Sequence, residues 1–83
     1  MATPDLRPLK HQLLEEDIKF RLVWEKNGRP GDWLSQMTDR EVAGSFLRRC
    51  GDYALEEWLK APPEYTEAHP AVSQLLVEAL KGT

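Results

Sequence analysis

Between Pro8 and Lys26 the apolar residues recur at helical spacing, but on two sides of the helix instead of one. At roughly 100° per residue, Leu9, Leu13, Phe20, Val23 and Trp24 fall together on one side. Leu14, Ile18 and Leu22 fall nearly opposite. Lys10, Asp17 and Arg21 separate the stripes along one flank, and Gln12, Glu15 and Lys19 along the other. A helix at the edge of a small domain needs one stripe for its own core. The second stripe predicts a second contact, with another protein or with another copy of the chain.

Eighty-three residues make one domain, 1–83, with a single core. A chain of this size buries roughly 60–65% of its unfolded surface, which leaves a margin of a few kcal/mol. The first helix is predicted from Pro8, suited to a first turn because its missing N–H costs nothing there, to Asn27-Gly28, where Gly28 takes a left-handed C′ conformation. Glu15–Lys19 and Asp17–Arg21 are spaced as i,i+4 ion pairs in the favourable order. The rival reading is a hairpin, Phe20–Glu25 turning at Asn27-Gly28 into Arg29–Leu34. Pro30-Gly31 would spoil the returning strand and Glu15-Glu16-Asp17 is poor strand material, so the helix is preferred.

Further on, Asp32 is placed to cap a short helical turn through Trp33, Leu34 and Met37. Thr38-Asp39-Arg40-Glu41 is a capping box, with Thr38 at the N-cap and Glu41 reaching back. The helix it opens is expected to bury Val42, Ala43, Phe46, Leu47 and Cys50, and Gly51 closes it at a positive φ. Asp52 is expected to cap the next helix, with Leu55, Trp58 and Leu59 inward, until Pro62-Pro63 forbids continuation. A loop over 64–69 leads to Pro70, which starts a last helix with Val72, Leu75, Leu76, Ala79 and Leu80 on one stripe, ended by Gly82. These elements predict an all-α fold: a compact small bundle of about four helices, plus one short extra turn. Trp33, Trp58, Phe20 and Phe46 are expected to supply much of the buried area.

Composition narrows the function classes. With 41% hydrophobic and 30% charged residues the chain is an ordinary globular one. A net charge of −3 disfavours a general nucleic-acid binder. The single cysteine, Cys50, forms no internal disulfide. No stretch approaches the roughly 18 apolar residues of a membrane span, and Met-Ala-Thr-Pro-Asp has no basic n-region or apolar core, so a cytoplasmic protein without membrane contact is expected.

Chemistry-bearing residues are sparse. His11 and His69 lie far apart with no Cys-x-x-Cys between them, so neither a metal nor a cofactor is expected. His11 is assigned to a polar helix edge and His69 to the cap before Pro70. Cys50, at a helix end, reads as a small core thiol. Glu15-Glu16-Asp17 and Glu56-Glu57 read as solvated faces, Glu16 being the least comfortable because it borders the first stripe. No glycine-rich phosphate loop occurs, and no small-molecule substrate is expected. The competing class is a helix-turn-helix DNA-binding regulator, with Gly51 as the turn. Its recognition helix would present Asp52, Glu56 and Glu57 to phosphates.

Cys50-Gly51-Asp52, Leu55 and Trp58-Leu59, within Thr38 to Leu59, resemble the small assembly factors that help attach flavin to succinate dehydrogenase, helical proteins of similar length. Their Arg-Gly-x-x-Glu motif is missing here: His11-Gln12-Leu13-Leu14-Glu15 keeps only the glutamate. No functional residue carries over, and the likeness is one of helix pattern. The sequence therefore predicts a non-enzymatic, small protein-binding regulator, inhibitor or assembly factor. Its interface would be Leu14, Ile18 and Leu22, meeting another protein or forming a homodimer.

Overall fold

A computed structural model describes residues 7–29, 31 and 33–81, apart from the side chains of Trp33 and Leu34. The described residues form six α-helices and no strand: α1 (Leu9–Lys26), α2 (Trp33–Gln36), α3 (Asp39–Cys50), α4 (Ala54–Leu59), α5 (Pro63–Ala68) and α6 (Val72–Lys81), with a 3-10 turn at Gly51–Tyr53 between α3 and α4. The all-α bundle is as predicted, and α1 runs unbroken through the segment that the hairpin reading would have made a strand. Its end is a Schellman motif. Gly28 N–H donates to Glu25 O at 3.1 Å and Arg29 N–H to Trp24 O at 2.8 Å, with Gly28 at φ 81°. The cap assigned to Asp32, the burial assigned to Trp33 and the stop assigned to Gly82 lie outside the described residues and side chains.

The capping box forms in full. Glu41 N–H donates to Thr38 Oγ1 at 3.1 Å, and Thr38 N–H donates to Glu41 Oε1 at 2.8 Å. It opens the helix that organises the molecule, since α3 packs against α1, α4 and α6. Val42, Ala43, Gly44, Ser45 and Leu47 of α3 are all buried, on more than one side of the helix. Gly44 explains how α1 comes so close. A Cβ there would stand 2.6 Å from the carbonyl carbon of Leu13, nearer still to its oxygen, and 3.0 Å from Asp17 Cβ. Only a residue without a side chain lets the two backbones touch.

The remaining core is Leu13, Met37, Ala54, Trp58, Val72, Leu76 and Ala79, with Leu9, Phe20, Phe46, Cys50, Leu55, Leu75 and Leu80 packed half-buried around it. Several expectations need correcting. Leu59 is 68% exposed, because the short α4 turns only Ala54 and Trp58 fully inward. Phe46 and Cys50 are half-buried, since they face the opening between α3 and α5. Residues 63–68 are a helix instead of a loop. Pro63 takes the first helical position, where its ring pre-sets φ and no N–H is lost, so the pair that stops α4 also starts α5. Asp52 caps nothing: it lies inside the 3-10 turn, and Tyr53, at the N-cap of α4, makes no side-chain cap bond. Gly51 does close α3 at φ 57°, but with ψ −127°, the mirror of the extended region and not the left-handed helical one.

Candidate protein-contact surface

On α1 the buried side is rotated from the predicted one toward Asp17. Leu13 and Asp17 are the fully buried residues of the helix, with Leu9, Phe20 and Trp24 half-buried beside them. Val23, expected in the core, is 59% exposed. Asp17, expected on a flank with Arg21 as its partner, faces α3 at the Gly44 crossing. Its Oδ2 accepts from Arg48 Nε at 2.9 Å, and its Oδ1 has no partner among the described residues. Arg21 pairs instead with Glu25, at 3.7 Å. The crossing sets this rotation: α3 meets α1 at Leu13 and Asp17, so the side of the helix centred there is covered.

The second stripe then divides. Leu14 packs half-buried against the core, whereas Ile18 is 48% and Leu22 65% exposed. Leu14 is thus a boundary residue, and the free part of the stripe is the single turn from Ile18 to Leu22. Charged side chains border it. Lys19 pairs with Glu15 at 2.8 Å, and Glu25 sits between Arg21 and Arg29 at 3.7 and 3.9 Å. The exposed part of the second stripe is thus an apolar pair with ion-paired side chains on either side of it.

Polar residues fix the helices that carry this face. Glu16, which looked misplaced in the sequence, accepts from Arg40 Nε at 3.0 Å and from its Nη2 at 2.7 Å, while Gln12 Oε1 takes the same Nη2 at 2.9 Å. Asp39, at the start of α3, reaches the other end of the chain. One carboxylate oxygen lies 2.9 Å from His69 Nδ1, and the other accepts from Ala71 N–H at 3.1 Å. His69 is therefore a buried strut between α3 and the start of α6, with Asp39 also holding the Ala71 N–H just ahead of that helix. His11 is exposed on α1, far along the sequence from this strut. Among the described residues no cluster of three or more His, Cys, Asp or Glu could hold a metal ion.

Two open clefts flank the C-terminal end of α3. The larger, about 390 Å³, includes Phe46, Arg49, Cys50, Glu57, Lys60 and Tyr65; neither histidine lines it, so Cys50 has no imidazole base there. The smaller, about 230 Å³, lies between α1 and α3. Sequence reasoning missed Gly44, the Asp17–Arg48 pair and the Asp39 strut. Only Gly44 left a signal, since a glycine in mid-helix is costly unless something packs closely against it. Comparison with known protein families, characterised proteins and solved structures finds no match to this chain.

Proposed function

We propose that the chain is a non-enzymatic protein-binding protein, acting as regulator, inhibitor or assembly factor, and that it engages its partner through the Ile18–Leu22 turn of α1. The observation that supports this most is the exposure of those two large aliphatic side chains, one helical turn apart, inside a charged rim. Magnitudes bear on who the partner is. Full burial of a Leu or Ile side chain contributes about 1.5–3 kcal/mol. The exposed shares of Ile18 and Leu22 therefore offer about 2–3 kcal/mol, and about 3–7 kcal/mol when used twice in a symmetric dimer. Association costs about 4–15 kcal/mol in lost freedom. The row alone does not hold a tight homodimer, which favours a different protein that adds further contacts around it. The helix-turn-helix alternative has less support, because α4 has six residues and Asp52, Glu56 and Glu57 stand exposed on and before it.

The test combines Ile18→Ser with Leu22→Ser. Thermal stability, solution mass over a range of concentrations, and capture of host proteins are measured together, and the captured protein is then purified and titrated. A folded monomer that no longer binds the partner held by the parent chain is the expected result. Unfolding of the variant would return the stripe to the core, and undiminished affinity for the partner would place the contact elsewhere.

A further inference from the structure

The smaller cleft joins an apolar floor to a concentration of arginine. It is lined by Phe20, Arg21 and Trp24 of α1, by Met37, and by Arg48 and Arg49 of α3. The rings of Phe20 and Trp24 stack with centroids 6.3 Å apart, and Met37 is buried beside them. The three guanidinium groups are held differently. Arg48 is anchored from behind, its Nε on the fully buried Asp17, and no hydrogen bond with a described residue uses its Nη groups. Arg49 lies 5.6 Å over the Phe46 ring and pairs with no described carboxylate. Among the described residues Arg21 has only the long contact to Glu25. On a chain of net charge −3, this gathers cations around one apolar depression.

We infer that this cleft takes an acidic linear segment of a partner protein, with one aromatic or aliphatic side chain seated on Phe20, Trp24 and Met37 and flanking carboxylates on Arg21, Arg48 and Arg49. The volume falls below the roughly 300–1,000 Å³ usual for small-molecule pockets, which suits one anchoring side chain. The planar fork of arginine matches a carboxylate through two parallel hydrogen bonds, and Arg48 is already oriented by Asp17, so less freedom is lost on binding. A nucleic-acid strand needs a basic track that continues. Beyond Arg49 the neighbouring cleft presents Glu57 beside Lys60, and α4 exposes Glu56. The inference rests on the reading of the chain as a protein binder but uses the side of α1 beyond Arg21, which borders both the cleft and the Ile18–Leu22 turn.

The probe is a random linear peptide library selected on the full chain, followed by titration of the enriched peptides against the isotope-labelled protein. Enriched peptides should carry Asp or Glu around a Trp, Phe or Leu and shift the backbone amides of residues 20–24 and 48–49 saturably. The double variant Arg21→Gln, Arg49→Gln, whose side chains lie outside the core, should stay folded and bind at least about tenfold more weakly. Leu22→Ser should bind unchanged. Selection that yields no binder, or peptides without acidic bias, overturns the inference, as does equal binding by the arginine variant. Displacement of the peptide by duplex DNA or inorganic phosphate at lower concentration would assign the arginines to phosphate instead. Loss of the peptide on Leu22→Ser would move it to the other face of α1, overturning this site while supporting the α1 contact.

Discussion

Gly44→Ala separates two opposed expectations by sign. Helix propensity alone says that alanine stabilises a helix interior by about 0.8–1 kcal/mol relative to glycine. The packing of α3 on α1 says the reverse. The added methyl would stand 2.6 Å from the Leu13 carbonyl carbon, where ordinary contact begins at 3.4 Å, so the helices must separate by about 0.8 Å or more. The obstacle is backbone, which has no rotamer to yield. Overpacking of this kind costs typically about 1–3 kcal/mol, and this site belongs at the upper end. A gap of about 0.5–1 Å also forfeits a quarter to a half of each dispersion contact across the crossing, where Leu13 and Asp17 meet α3. Subtracting the propensity gain leaves a net loss of about 2 kcal/mol. In a domain of this size that lowers Tm by about 8–16 °C. Helical circular dichroism followed through thermal and urea unfolding measures it. A Tm at or above that of the parent chain would refute the close crossing, and with it the reason given for the burial of Asp17.

Gly51→Ala meets no steric obstacle, since a Cβ there has nothing within 4 Å, so its cost of about 1–3 kcal/mol is torsional and D-alanine at that position should lack it; equal Tm for the two epimers would contradict the positive φ. Asp39→Ala should cost about 1–3 kcal/mol by removing the carboxylate that meets the buried His69 ring and Ala71 N–H, read by urea denaturation and by faster amide exchange at the start of α6. Arg48→Met leaves a buried carboxylate without its cation and should cost about 3 kcal/mol, the low end for breaking a buried pair because Arg48 itself is partly exposed. Thr38→Ala should cost about 1 kcal/mol through loss of the capping box, measured by chemical denaturation.

What the sequence disclosed about the fold was local. The capping box at Thr38, the Asn27-Gly28 stop and the stripe of α6 depend on neighbours a few positions away, and each appears where the pattern puts it. Pro62-Pro63 shows the limit of such reading: the same chemistry that ends one helix begins another, and only the second half of the signal was overlooked. Charge partners were the least legible. Asp17 has Arg21 one turn along α1, the favourable spacing, yet its cation is Arg48, from a helix whose approach no local rule supplies.

The exposure of Ile18 and Leu22 has the same origin. Periodicity reports which residues a helix can cover, and α1 offered two sets. Which set is covered depends on which helix occupies the middle of the bundle. Gly44 decides that: a glycine inside α3, flanked by Ala43 and Ser45, lets another backbone approach it, so α3 is the helix packed on several sides and α1 is packed chiefly on one. A helix packed on one side leaves the opposite turn free. Ile18 and Leu22 lie on that turn, and Leu14, nearer the core, is partly covered. Had the small residues stood in α1 instead, the crossing would have moved into it and the second stripe would have been core. The exposed face thus depends on residues that never touch it.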